Sequence, residues 1–84
     1  MKVEIFTRDG CPFCDMAINI FNQHGVEYSE TKLNNNSERQ KFYNEMNQNS
    51  KVQSHVSTVP QIFINDEHIG GFSDLNRRSS DFFK

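Results

Sequence analysis

Cysteine is scarce in this sequence: Cys11 and Cys14 are the two among 84 residues. A secreted domain this small normally carries several, joined across distant segments. A bridge between positions so near one another closes a tiny loop and constrains the unfolded chain little. The pair is ill suited to holding a fold together and well suited to being made and broken. An excess of charge of one sign is also missing. Nine Lys and Arg stand against eleven Asp and Glu, a formal net charge of −2. No strong field draws the chain to nucleic acid or to an anionic membrane, and neither is expected as a partner. No apolar run approaches the ~18–20 residues of a membrane-spanning helix. Met1-Lys2-Val3-Glu4-Ile5-Phe6 is too short and too soon charged for a signal peptide, so a cytosolic location is the expectation. Apolar residues are themselves few, at 35% of the chain; glycine brings this to roughly 40%, below the usual globular range. Eight phenylalanines still allow a compact core. The length fits one small domain spanning 1–84.

Residues 2–7 alternate, with Val3 and Ile5 on one face and Glu4 and Phe6 on the other, which predicts a strand with both faces partly covered. Arg8-Asp9-Gly10 is a turn, and Pro12 occupies a favoured first helical position. Cys14, Ala17, Ile18 and Phe21 follow at helical spacing, and Gly25 stops the helix in a left-handed cap. Val26 to Thr31 reads as a second strand, parallel to the first through a right-handed crossover. Ser37-Glu38-Arg39-Gln40 has the form of a capping box, opening a helix whose buried stripe is Phe42, Tyr43 and Met46. Residues 47–57 are polar and leave helix and loop both open, with the Val52/Val56 spacing favouring another helical turn. Val59 to Ile64 is a strand entered through Pro60; Asn65-Asp66 turns the chain, and His68-Ile69-Gly70 returns antiparallel. Ser73 caps a last helix carrying Leu75, Phe82 and Phe83. The order β-α-β-α-β-β-α predicts an α/β fold, one mixed four-stranded sheet with three helices on its faces.

Cys11-Pro12-Phe13-Cys14 is the most informative stretch. A C-x-x-C at a helix start, after the first strand of a βαβ unit, reads as a thioredoxin-like redox motif. Cys11 falls at the N-cap or first helical position, where free N–H groups and the helix dipole favour a thiolate. Cys14, one turn on, faces inward. Cys11 is then the exposed nucleophile and Cys14 the buried resolving thiol. The dipole contributes ~0.3–1 kcal/mol, at best ~2, or roughly one pKa unit. Larger depression needs hydrogen bonds to sulfur and a nearby cation, for which Arg8 is the natural candidate. A lower pKa raises the thiolate fraction but lowers intrinsic nucleophilicity by a comparable factor. Its main benefit is a better leaving group from a mixed disulfide.

Other uses of the pair fit less well. A structural zinc needs four ligands; only His24, His55 and His68 could complete the set, and none has the usual spacing, so no metal is expected. An inert core pair sits badly with Pro12 and the helix start. Ligation of an iron–sulfur cluster between two subunits stays open. A second element, Thr58-Val59-Pro60, reads beside C-P-x-C as a cis proline facing the dithiol. Val59 would then present its backbone N–H and C=O to an extended peptide. A third, Gly70-Gly71-Phe72-Ser73-Asp74, opens a helix after two glycines; its N–H groups suit a carboxylate and Asp74 suits an ammonium, together an α-amino-acid end. The plainer reading, a Gly-Gly turn with a serine cap, is the default for that segment alone.

With these elements in order, the sequence closely resembles the dithiol glutaredoxins, small thioredoxin-fold enzymes. The resemblance covers nearly the whole chain and rests on Val3-Glu4-Ile5-Phe6-Thr7, Cys11-Pro12-Phe13-Cys14, Thr58 to Ile64 and His68 to Leu75. It implies a glutathione-dependent thiol–disulfide oxidoreductase acting on protein disulfides and glutathione mixed disulfides, a monomer with no permanently bound cofactor. Glutathione is then the co-substrate, and ribonucleotide reductase a client by family analogy. It further implies that Cys11 carries the glutathione mixed disulfide, with Thr58, Val59 and Pro60 beside its cysteinyl backbone. Gly71, Ser73 and Asp74 would hold the γ-glutamyl end. Arg8, or Arg39 with Gln40, would meet the glycine carboxylate. Phe13 stands where the family usually has tyrosine, which loses a hydroxyl and keeps an apolar wall. Arg8 replaces a common lysine. The long, asparagine-rich segment from Asn34 to Ser57 also resembles bacteriophage members. Competing readings are an iron–sulfur carrier, a redoxin served by thioredoxin reductase, and a non-catalytic binding module.

Overall fold

Val3, Ile5 and Thr7 of the first strand, β1 (Val3–Thr7), are buried on one face, while Glu4 and Phe6 are half-buried on the other. That alternation sets the architecture of the computed structural model, which describes residues 1–52 and 54–83. The elements that follow are α1 (Pro12–Gln23), β2 (Ser29–Lys32), α2 (Asn36–Asn47), β3 (Gln61–Ile64), β4 (Glu67–Gly70) and α3 (Phe72–Phe82). The four strands form one sheet in the order β2-β1-β3-β4. β1 pairs parallel with β2 and antiparallel with β3, and β3 pairs antiparallel with β4. This is the expected mixed four-stranded sheet with three helices, a thioredoxin-like fold.

Register decides which residues share a layer. Ile5 lies opposite Ile62 and Val3 opposite Ile64, so these side chains meet on one face, where Ala17, Phe21 and Leu75 complete the main core. The other face carries Phe6 opposite Gln61 and Glu4 opposite Phe63. There Tyr43, Met46 and Val56 form a second cluster, with Phe42 and Phe63 packed against it. Phe42 lies against Phe6, ring centroids 4.5 Å apart.

Several expected boundaries move, each for a local reason. α2 starts before Ser37: Asn35 is its N-cap, and its Oδ1 accepts the Ser37 N–H at 2.8 Å and the Glu38 N–H at 3.3 Å. Asparagine caps as well as serine, and here it stands one residue ahead of the helix. Likewise α3 is capped at Gly71, not Ser73; Asp74 reaches back so that its Oδ2 accepts the Gly71 N–H at 3.2 Å. The second strand begins at Ser29, later than expected, while Val26 and Tyr28 pack onto the core ahead of it. Likewise the β3 ladder starts at Gln61, after Pro60.

The stretch 47–57 departs most from its favoured reading. α2 ends at Asn47, and the described residues between it and position 57 form no further helical turn. Instead the Asn47 side chain serves as a strand-like partner: its Oδ1 accepts the Val56 N–H at 2.7 Å and its Nδ2 donates to the Val56 carbonyl at 3.0 Å. The valines still turn inward, Val56 fully and Val52 partly, so their spacing marked burial without helix. Gln53 of this stretch lies outside the described residues.

Candidate active site

Cys11 is the N-cap of α1, with extended backbone, and Pro12 fills the first helical position. The two cysteines are joined as a disulfide, their Cα atoms 5.2 Å apart. Cys11 Sγ accepts the Cys14 backbone N–H at 3.2 Å, a hydrogen bond that a serine or aspartate cap would make through oxygen. In this oxidised form the expected contrast in exposure is absent: Cys11 is 5% exposed and Cys14 2%. The bonded Cys11 sulfur is held against its own helix start and lies 3.8 Å from the Val59 carbonyl oxygen. Beside it the Phe13 ring is 58% exposed and stacks near Phe72, centroids 6.1 Å apart.

The Val59–Pro60 bond is cis, as the sequence suggested. Val59 precedes the β3 ladder, so no strand partner takes its backbone groups in the sheet. Gln61, the first residue of β3, is 5% exposed despite its polarity. Both ends of its amide are engaged: Nε2 donates to the Thr58 carbonyl at 3.0 Å, and Oε1 meets His68 Nε2 at 2.8 Å. Burial lowers the His68 pKa from 6.5, while the Asp74 carboxylate pulls it back up. A neutral His68 ring must therefore carry its proton on Nε2 to donate to Gln61.

The chain turns from β4 into α3 at Gly70, whose φ of +117° suits glycine. A Cβ there would also collide with the Asp74 carboxylate. The Asp74 carboxylate is thus brought to the mouth of α3, with Arg77 Nη2 on its other oxygen at 2.8 Å.

A cavity of about 420 Å³ runs between these elements. It brings together Phe13, Thr58, Val59, Pro60, Gly71, Ser73 and Asp74, all singled out in the sequence. Cys11 and Cys14 are not among its lining residues, and neither are Arg8, Arg39 and Gln40. Arg8 is exposed, with Nη1 3.3 Å from the Asp9 carbonyl. Arg39 turns back along α2 and donates from Nη1 to the Leu33 and Asn34 carbonyls at 2.7 and 3.0 Å, so it ties down the entry to the helix. Gln40 is exposed on α2. The cavity also includes His55, Gln61, His68 and Phe72, which the sequence did not assign to a substrate site. The signal for Gln61 was available: a large amide at the head of an otherwise apolar strand, with a histidine on the returning strand.

A redox-active C-x-x-C at the head of α1, on a thioredoxin-like sheet and beside a cis proline, defines a thiol–disulfide oxidoreductase. Comparison with known proteins narrows the class. The glutaredoxin family model matches residues 3–69. Glutaredoxin 3 of Escherichia coli (strain K12) is 38% identical over 74 residues, covering 88% of this chain and 81% of that protein. The crystal structure of glutaredoxin 1 from Francisella tularensis, complexed with cacodylate, superposes with a TM-score of 0.93 at 49% identity, covering 95% of this chain and 93% of that one. The dithiolic glutaredoxin 2-C-Grx1 of Trypanosoma brucei brucei has a TM-score of 0.76 at 30% identity, covering 94% and 77%. The chain belongs to the glutaredoxin family. Among the described residues, no helix is long and apolar enough to cross a membrane.

Proposed function

We propose that this glutaredoxin uses glutathione to reduce protein disulfides and glutathione mixed disulfides. One observation carries the reading: the Cys11 sulfur lies 3.8 Å from the carbonyl oxygen of Val59, and Val59 lines a cavity that extends to the Gly71–Asp74 helix mouth. Glutaredoxins use glutathione as co-substrate, and the spatial order fits a tripeptide thiol. Its cysteinyl backbone pairs with Val59 as an added strand would. Its α-carboxylate meets the N–H groups at the start of α3, and its α-ammonium meets Asp74. Phe13 and Phe72 wall the sulfur side.

In the reaction, the Cys11 thiolate attacks a substrate disulfide. A new S–S bond forms to Cys11, and the other substrate sulfur leaves as a thiolate. Cys14 then attacks Cys11 and frees a protein thiol, or a glutathione thiolate attacks the glutathione sulfur of the Cys11 adduct. Two glutathiones convert the Cys11–Cys14 disulfide back to the dithiol and leave as glutathione disulfide. Arg8 is the cation nearest Cys11 along the chain and favours the anionic sulfur. Ribonucleotide reductase is proposed as one protein client on family grounds. The protein is proposed to act as a cytoplasmic monomer, one domain over 1–84.

The test is a mixed-disulfide reduction assay with glutathione on Cys11→Ser and Cys14→Ser. Cys11→Ser should be inactive. Cys14→Ser should keep activity on a glutathionylated peptide and lose it on an intramolecular protein disulfide. An active Cys11→Ser enzyme overturns the assignment.

A further inference from the structure

Gln61 joins three parts of the molecule that meet at the cavity. It heads β3, it is held by His68 across the β3–β4 pair at 2.8 Å, and it grips the Thr58 carbonyl at 3.0 Å. The last contact closes a short ring around Val59, whose carbonyl oxygen lies 3.8 Å from Cys11 Sγ. The amide is buried, and each of its two ends has one partner, so it cannot turn over without placing oxygen against oxygen at Thr58. With Nε2 committed to the Thr58 carbonyl, Oε1 is left to accept from His68 Nε2–H, so the two contacts agree on one orientation.

We propose that Gln61 is a positioning residue for the redox site: oriented by His68, it holds the Thr58–Val59 backbone in register with Cys11 so that an extended substrate backbone finds its partner already set. The proposal rests on the Val59 docking described above. Backbone pairing needs both partners placed within a few tenths of an ångström, and Thr58 is itself exposed and outside the sheet. A loop held by its own turn alone would lose that placement before it lost the fold. Removing Gln61 should therefore weaken substrate binding more than it slows the sulfur chemistry.

The experiment compares the wild-type enzyme with Gln61→Met and Gln61→Glu on two substrates. One is a glutathionylated peptide with glutathione as reductant; the other is a peptide with an internal disulfide, reduced in single turnovers by enzyme pre-reduced with dithiothreitol and desalted, where the half-saturating peptide concentration and the limiting rate stand for KM and kcat. Gln61→Met should raise KM at least fivefold on each substrate the wild type reduces, with kcat changed less than twofold. Gln61→Glu should raise KM similarly, since a carboxylate oxygen faces the Thr58 carbonyl. It should also raise the titration midpoint of His68 in an NMR experiment, because an anion then abuts the ring. An unchanged KM in a folded variant, a loss of kcat at constant KM, or an unmoved His68 midpoint in Gln61→Glu overturns the proposal. If Gln61→Met does not fold, Gln61→Glu decides by the same split. Should the wild type reduce the internal disulfide but not the glutathionylated peptide, the glutathione reading fails, and the internal-disulfide KM still decides the role of Gln61.

Discussion

The sulfur of Cys11 and the backbone N–H of Cys14 form the N-cap hydrogen bond of α1, at 3.2 Å. One atom thereby serves two purposes. As a cap it accepts an N–H the helix cannot satisfy internally. As a reactant it sits where that N–H and the helix dipole favour negative charge. On the proposed mechanism the same donor stabilises the thiolate of the reduced enzyme, which couples cap strength to leaving-group quality.

The Asp74 carboxylate should govern both a helix cap and the ligand's ammonium. Asp74→Asn keeps an oxygen for the Gly71 N–H and removes the charge. The measurement is KM for glutathione against thermal stability. KM should rise about tenfold, the scale of one charge-assisted hydrogen bond, while the melting temperature moves by only a few degrees.

Gly70 is the turn at which a side chain is least tolerated. Its φ of +117° is unfavourable for other residues, and a Cβ would strike Asp74. Gly25, at φ +64°, has open space around its Cβ position. Gly70→Ala should therefore cost clearly more than the ~1 kcal/mol expected for Gly25→Ala, as read by urea denaturation of the two variants.

Asn35, not Ser37, caps α2. Asn35→Ala should lose about 0.5–2 kcal/mol, and Ser37→Ala should be nearly neutral, both measured by denaturant titration. The two serine-led helix starts misled sequence reasoning for one reason. A capping pattern fixes only that a helix begins nearby, and asparagine or glycine one or two residues upstream can take the cap when the chain enters at a different angle. Hydrophobic alternation was more informative. Val3 and Ile5 were placed on a strand by alternation, Ile62 and Ile64 on one bounded by Pro60 and the Asn65-Asp66 turn, and register stacks the four in one core. The dithiol was legible because it carries its chemistry in adjacent residues, and the cis proline was legible only in combination with it. The Asn47–Val56 and Gln61–His68 pairs were not, because they form only after a loop and a hairpin have closed.

Asn47 holds that loop through two hydrogen bonds to one buried residue. Asn47→Ala leaves the Val56 N–H and carbonyl unmatched, at a cost of about 1–3 kcal/mol. Hydrogen exchange should show faster opening of residues 54–57 while β1 and β3 stay protected. Equal loss of protection in the strands would mean that the loop is not a separate unit.

His68 gives the fold a defined pH response. Burial holds its folded-state pKa below the ordinary 6.5. The unfolded chain therefore binds the proton more readily, and protonation favours unfolding. Stability should be full above about pH 6.5, fall as pH drops below it, and level off once the folded-state pKa has been passed. An NMR titration should place His68 below the ordinary histidine value, and Asp74→Asn should lower it further, because Asp74 raises it.

The most direct test is the pH dependence of Cys11 alkylation by iodoacetamide in reduced Cys14→Ser protein, followed by mass spectrometry. The account predicts a midpoint well below the ~8.5 of a free cysteine, with a stable glutathione adduct on Cys11 when glutathione disulfide is supplied. A midpoint near that of a free cysteine, with no adduct, would contradict it.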